Sequence, residues 1–168
     1  MTATLLLVPV AAVLAAWGAV RVLRRGGRPD VLLVAVGAMA PLCLAAAERA
    51  ADHGIEVTVV DPRWVLPVPA ELVALASGFR LVVTVEDGGR AGGVGTTLTQ
   101  ALQDRGVDVP LRSLGLPQAF LEHGSRGQVL ADAGLTEQDV ARRIAEWSAV
   151  VAERSEGALP DAVGEGRT

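Results

Sequence analysis

The sequence predicts an α/β fold, a three-layer α/β/α sandwich around a mostly parallel sheet. Two observations carry this. Short runs of Val and Leu recur along the chain, each ending at a Gly or an acidic residue, as strands buried on both faces do. Between them lie segments whose apolar residues repeat at helical spacing, opened by proline or by a glycine-rich loop. A chain of 168 residues is one domain, able to enclose a single core.

Taken in order, "VLLVAVG" predicts a first strand near residues 31–36. Pro41 then opens a helix where its missing N–H costs nothing, and Leu42, Cys43, Ala46, Ala47 and Ala50 share an apolar face closed by Gly54. "EVTVVD" and "FRLVVTVED" predict strands near 56–60 and 80–85, separated by a short helix entered through Pro69. After the glycine loop, Leu98, Ala101 and Leu102 define a helix that Gly106 closes, and "VPLRSLGL" predicts a strand near 110–114. Thr136 with Asp139 three residues on is a capping-box pattern, and Val140, Ile144, Trp147 and Val151 follow on one face. Residues 151–168 are expected to form a disordered tail.

Residues 1–21 read differently. Seventeen residues from Thr4 to Val20 carry no charge, and Arg21, Arg24, Arg25 and Arg28 follow. No positive residue precedes the run, which argues against a secretory signal. Its length, with Pro9 inside, is marginal for a membrane span. A short helix over about Val10–Leu23 is expected instead, with a linker at "RRGGRPD" and the domain's first strand starting at Val31. The domain is therefore placed at 22–150, in a cytoplasmic protein. Membrane association through residues 4–20 is the alternative.

Composition excludes several classes of function. The net charge is −4 and aromatics make up 3% of the chain, so neither a phosphate-backbone grip nor a base-stacking platform is expected, and nucleic acid is not a partner. All fifteen basic residues are Arg, which removes any Schiff-base lysine. The lone Cys43 sits between two leucines and reads as core. Metal-ligand spacings and a nucleophile elbow are absent. His53 falls in the last turn of a helix, where the dipole favours a cation. His123 lies on a loop with Glu122 and Arg126 and pairs with no nucleophile motif.

The most chemical-looking stretch is "VTVEDGGRAGGVGT", residues 82–95. A strand, a glycine loop and a helix start make the usual setting for a phosphate. Yet no Lys follows Gly95, and Gly88, Gly89, Gly92, Gly93 and Gly95 miss the dinucleotide spacing. Glu86 and Asp87 are adjacent on a strand and so face opposite ways, not an obvious acid/base pair.

"VTVVDPRWVLPVP", "LVVTVEDGGRAGGVGT" and "GLPQAFLEHGSRGQVLADAGLT" together resemble the C-terminal domain of 1-deoxy-D-xylulose-5-phosphate synthase, in the transketolase superfamily, over about residues 22–149. Leu66 departs from the usual Lys and Pro69 from a frequent Asp, and the leader has no counterpart there. The resemblance implies a sheet of about five strands with one antiparallel edge strand. It also implies a thiamine-diphosphate-dependent transferase whose cofactor and magnesium are held by two preceding domains, through a G-D-G…N motif absent here. The chain contains no Asn at all. No catalytic, cofactor-binding or metal-binding residue is expected in this chain. The loop of Glu86, Asp87, Gly88, Gly89, Gly92, Gly93 and Gly95 then reads as a strand-to-helix turn. The partners implied are the remaining domains of such an enzyme or a second copy of this chain, with Arg63, Trp64, Phe120, His123 and Arg126 as interface candidates.

Overall fold

The computed structural model describes residues 18–157. Expectations for the leader before residue 18 and for the tail after residue 157 lie outside the described residues. Five strands form one sheet: β1 (Val20–Arg24), β2 (Val31–Ala35), β3 (Val57–Pro62), β4 (Leu81–Gly89) and β5 (Leu111–Leu116). The helices are α1 (Ala40–Ala51), α2 (Ala70–Ala76), α3 (Val94–Gln103), α4 (Arg126–Asp132) and α5 (Glu137–Gly157), with a 3₁₀ turn at Gly37–Met39 ahead of α1. The spatial order is β1-β3-β2-β4-β5, and only β1 runs antiparallel, against β3. This is the α/β sandwich with one antiparallel edge strand.

Every residue of β2 is buried, as expected for a central strand covered on both faces. Its odd side chains Val31 and Leu33 join Val59, Val83 and Val85 in a core closed by α1, α4 and α5. Its even ones, Leu32 and Val34, join Val60 and Val82 under α2 and α3. Helix α1 buries Cys43, Ala46, Ala47 and Ala50, small residues that let it approach the sheet closely, and Gly54 at φ +76° turns the chain out of it. Burial raises the Cys43 thiol to a pKa of about 12. Thr136 caps the start of α5: Asp139 N–H donates to Thr136 Oγ1 at 3.1 Å, and the Thr136 hydroxyl donates to the Asp139 carboxylate at 2.6 Å.

Two expectations are corrected. From Val20 on, the helix expected to run to Leu23 is the edge strand β1, so the first strand precedes Val31. Val20 and Val22 stand opposite Pro62 and Val60, and both pack on the α2/α3 side of the sheet. The alternation of Val20, Arg21 and Val22 has a strand period, and β-branched residues on a half-buried edge favour it. The "RRGGRPD" segment then runs along β3, with Gly26 N–H donating to Thr58 Oγ1 at 3.0 Å. A Cβ on Gly26 would lie 3.0 Å from the backbone nitrogen of Val57. Second, the chain from 151 to 157, expected to be disordered, continues α5 to Gly157, because Val151 is buried and completes the helix's apolar face.

Candidate functional site

Strands β2 to β5 are parallel, so their carboxyl ends share one rim. Helix α1 follows β2 on one face of the sheet and α3 follows β4 on the other. The gap between β2 and β4 is therefore the topological switch point, where open α/β sheets take their ligands. The segment from Glu86 to Gly95 stands at that point.

The period of two in β4 sends Glu86 inward, to 4% exposure, and Asp87 outward. The Glu86 carboxylate accepts the N–H of Val94 at 3.0 Å and that of Gly95 at 3.1 Å, the first two residues of α3. An anion belongs at a helix N-terminus, where free N–H groups and the dipole both favour negative charge. Here the protein supplies that anion itself. Glycines allow the close approach. A Cβ on Gly93 would collide with Glu86 Oε2 and lie 2.5 Å from the Gly89 carbonyl, and one on Gly115 of β5 would lie 3.1 Å from Glu86 Cγ. Gly95 faces inward against Ser113 and the fully buried Thr84, whose hydroxyl has no hydrogen-bond partner among the described residues. Gly92, at φ +75°, is the one loop residue that needs the left-handed region. Gly88 and Gly89 extend β4.

Asp87 takes the Arg126 guanidinium at 2.7 Å, which ties the start of α4 across the rim to β4. The same guanidinium lies 3.5 Å from Met39 Sδ, beyond β2. The switch-point crevice is thus closed by side chains from three segments. Ser125 caps α4, with a full capping box to Gln128. The S-x-x-Q spacing at 125–128 is the sequence signal for α4, masked by the flanking Gly124 and Gly127.

The remaining interface candidates also stand on this rim. Arg63 and Trp64 follow β3, and Phe120 and His123 lie on the loop after β5. Trp64 is 61% exposed, Phe120 87%, and Leu66 66%; sequence reading had noted Leu66 only as a departure from the family. Among the described residues, Val150 is the sole exposed large apolar side chain off the rim.

This arrangement does not fit a diphosphate or its metal. The helix start already holds a carboxylate with both oxygens engaged, so a phosphate would meet like charge. Among the described residues no three His, Cys, Asp or Glu side chains are grouped to hold a metal ion.

A family model described as Transketolase, C-terminal domain matches residues 18–140. The 1-deoxy-D-xylulose-5-phosphate synthase of Rhodococcus jostii is 61% identical over 133 residues, which is 79% of this chain and 20% of that protein. The 1-deoxy-D-xylulose-5-phosphate synthase 2 of Kitasatospora griseola is 60% identical over 126 residues, covering 75% of this chain and 19% of that one. This chain thus spans about a fifth of the length of the curated relatives it matches. Among solved structures, a split gene transketolase described as an inactive beta4 tetramer superposes with a TM-score of 0.68 at 30% identity, over 76% of this chain and 41% of that one. A Pichia stipitis transketolase, at 18% identity and a TM-score of 0.61 over 82% of this chain and 19% of its own, shares the fold. The chain belongs to the transketolase C-terminal domain family.

Proposed function

We propose that this chain is the C-terminal domain, or a piece, of a cytoplasmic 1-deoxy-D-xylulose-5-phosphate synthase, and that it acts as a structural, dimer-stabilising module with no catalysis of its own. In that reading the whole enzyme condenses pyruvate with glyceraldehyde 3-phosphate, with loss of carbon dioxide. Thiamine diphosphate and magnesium then sit in the two domains that precede this one in such an enzyme. The observation that carries the reading is Glu86. The position where this fold would take an anionic ligand is filled by the chain's own carboxylate, bonded to Val94 and Gly95. What the rim offers instead is surface, with Trp64, Leu66 and Phe120 exposed beside Arg63, His123 and Arg126. An apolar patch above ~600 Å² there would exceed what a typical monomer shows and would suit a neighbouring domain or a second copy. The split gene transketolase described as an inactive tetramer supports the same picture of a partial chain that self-associates without activity.

The test mixes this chain with the Rhodococcus jostii synthase region that precedes the matched part. The expected result is a stable complex by size exclusion, synthase activity only in the mixture, and no saturable heat when thiamine diphosphate and magnesium are titrated into this chain alone. Micromolar cofactor binding by this chain alone overturns the reading, as does failure of the two pieces to associate. Salt-resistant sedimentation with membranes would favour the tethered alternative. No helix among the described residues is long and apolar enough to cross a membrane.

A further inference from the structure

The opposite rim of the sheet, where the parallel strands begin, carries a cavity of about 290 Å³. It lies by the starts of β2 and β4, under the later turns of α5. Leu81 and Val151, both buried, and the partly buried Ile55 give it an apolar floor. Two exposed arginines, Arg28 and Arg80, line it as well, and they differ. Arg28 donates to Asp30 Oδ2 through Nε at 3.3 Å and Nη2 at 3.2 Å, and to the Gly54 carbonyl at 2.6 Å, so its charge is answered and its position held. Asp30 Oδ2 also accepts the Glu56 N–H at 3.1 Å. The Arg80 guanidinium has no hydrogen bond or ion pair among the described residues. Ser148 of α5 lines the same cavity, and its hydroxyl is buried with no hydrogen-bond partner among the described residues. A buried hydroxyl is nearly always bonded, so this one asks for a partner.

We propose that this cavity binds a small organic monocarboxylate, with its carboxylate on Arg80 and its short aliphatic body on Ile55, Leu81 and Val151. A planar guanidinium matches a carboxylate with two parallel hydrogen bonds, and the apolar floor gains from covering by hydrocarbon. An oxygen of the ligand gives the Ser148 hydroxyl the partner it lacks. Charge sets the class. Two cations, Arg28 and Arg80, and one anion, Asp30, line the cavity, so one negative charge is balanced there. A phosphate dianion would instead meet the Asp30 carboxylate with charge to spare. Volume sets the size. At the ~30 Å³ that each water takes in the liquid, the cavity holds roughly ten non-hydrogen atoms, too few for a nucleotide. The site lies across the sheet from the docking face, so it needs neither the synthase reading nor a partner on the carboxyl rim.

The test titrates 3-methylbutanoate into the full nitrogen-15-labelled chain at neutral pH and fixed ionic strength. The expected result is a saturable shift of the Gly54, Ile55 and Leu81 amides, half-complete at ~1 mM, an affinity within reach of so small a ligand. Arg80→Met keeps an unbranched stem, removes the charge, and should weaken binding at least about tenfold. Ser148→Ala should weaken it about threefold, as for one neutral hydrogen bond. A second comparison needs no variant: 3-methylbutan-1-ol, which has the same body without the charge, should bind the parent at least about tenfold more weakly than the acid. The absence of saturable shifts up to ~20 mM overturns the inference, as does unchanged binding by either variant or an alcohol that binds as well as the acid. Shifts spread alike over Arg21, Arg63 and Arg80 overturn it in favour of diffuse ion pairing. Inorganic phosphate that displaces 3-methylbutanoate at equal concentration overturns the assignment to a monocarboxylate.

Discussion

Replacing Glu86 tests the site most directly. The side chain is buried, and its two oxygens satisfy the first two N–H groups of α3. Glu86→Ala removes two charge-assisted hydrogen bonds, each contributing about 1.5–3 kcal/mol, and leaves both donors unpaired in a closed turn. The terms overlap, and a net loss of about 3–5 kcal/mol is expected. For a domain of this size that is a fall in melting temperature of roughly 10–15 °C. Glu86→Gln keeps one acceptor oxygen but turns an amide N–H toward the other donor, so about half that loss is expected. Thermal and urea unfolding of both variants measure these losses. Formate gives a sharper reading. The vacated helix start of Glu86→Ala is a bare anion cradle, so added formate should raise its melting temperature saturably while leaving the parent unmoved. A loss below about 1 kcal/mol for Glu86→Ala, or saturable formate stabilisation of the parent, would refute the idea that the cradle is self-filled.

Four further expectations follow from the same geometry. Gly95→Ala drives a Cβ into Ser113 Oγ, 2.5 Å from Thr84 Oγ1, and should cost about 3 kcal/mol by urea unfolding, partly recovered by adding Ser113→Gly. Arg126→Ala breaks a pair whose side chains are 57% and 38% exposed, so stability should change by less than about 1 kcal/mol, while amide exchange across 117–125 accelerates. Hydrogen bonds from Thr136 and then Arg142 hold the Asp139 carboxyl below its ordinary range. That contribution is present above the unfolded value of about 3.9 and is lost as pH falls through the folded value; carbon-13 titration should place the Asp139 midpoint below 3.9, and Asp139→Asn should flatten the acid limb of the stability curve. Removing residues 1–25 strips β1 and bares the β3 edge with Val60, so the product should aggregate in light scattering more than a chain beginning at Gly18, which keeps β1 paired to β3.

The central strands were legible because a strand buried on both faces cannot disguise itself: "VLLVA" and "LVVTV" have few other uses. Edge strand β1 was not, because it carries an exposed Arg21 and an Arg24 whose guanidinium donates to the Val57 carbonyl, and it abuts an uncharged run that reads as one longer segment. Alternation over three residues, Val20 to Val22, is too short to outweigh seventeen uncharged ones unless the partner strand is known. Helix α4 was hidden for the opposite reason, since its first turn contains Gly127 and little apolar content. The opposite facing of Glu86 and Asp87 followed from the strand period alone. What became of Glu86 did not, because the N–H groups it meets lie eight and nine residues on, and only the fold brings them back to the end of β4.

That last point bears on how this fold can be read elsewhere. A glycine loop after a strand signals close backbone approach, but not what approaches. Here the steric demand at Gly93 and Gly115 comes from Glu86 and from the backbone of Gly88 to Arg90, residues of the same turn, so these two glycines are explained without a ligand. At the neighbouring β2 end, the crevice is bridged by Arg126 between Asp87 and Met39. With both halves of the switch point occupied by the chain's own side chains, the chemistry left on the rim is that of surface. Its apolar residues fall on loops after β3 and β5, the two flanks of the closed crevice, where a neighbour can engage them without entering the sheet. A closed centre with apolar flanks suits the docking role proposed above, and association in solution is what tests it.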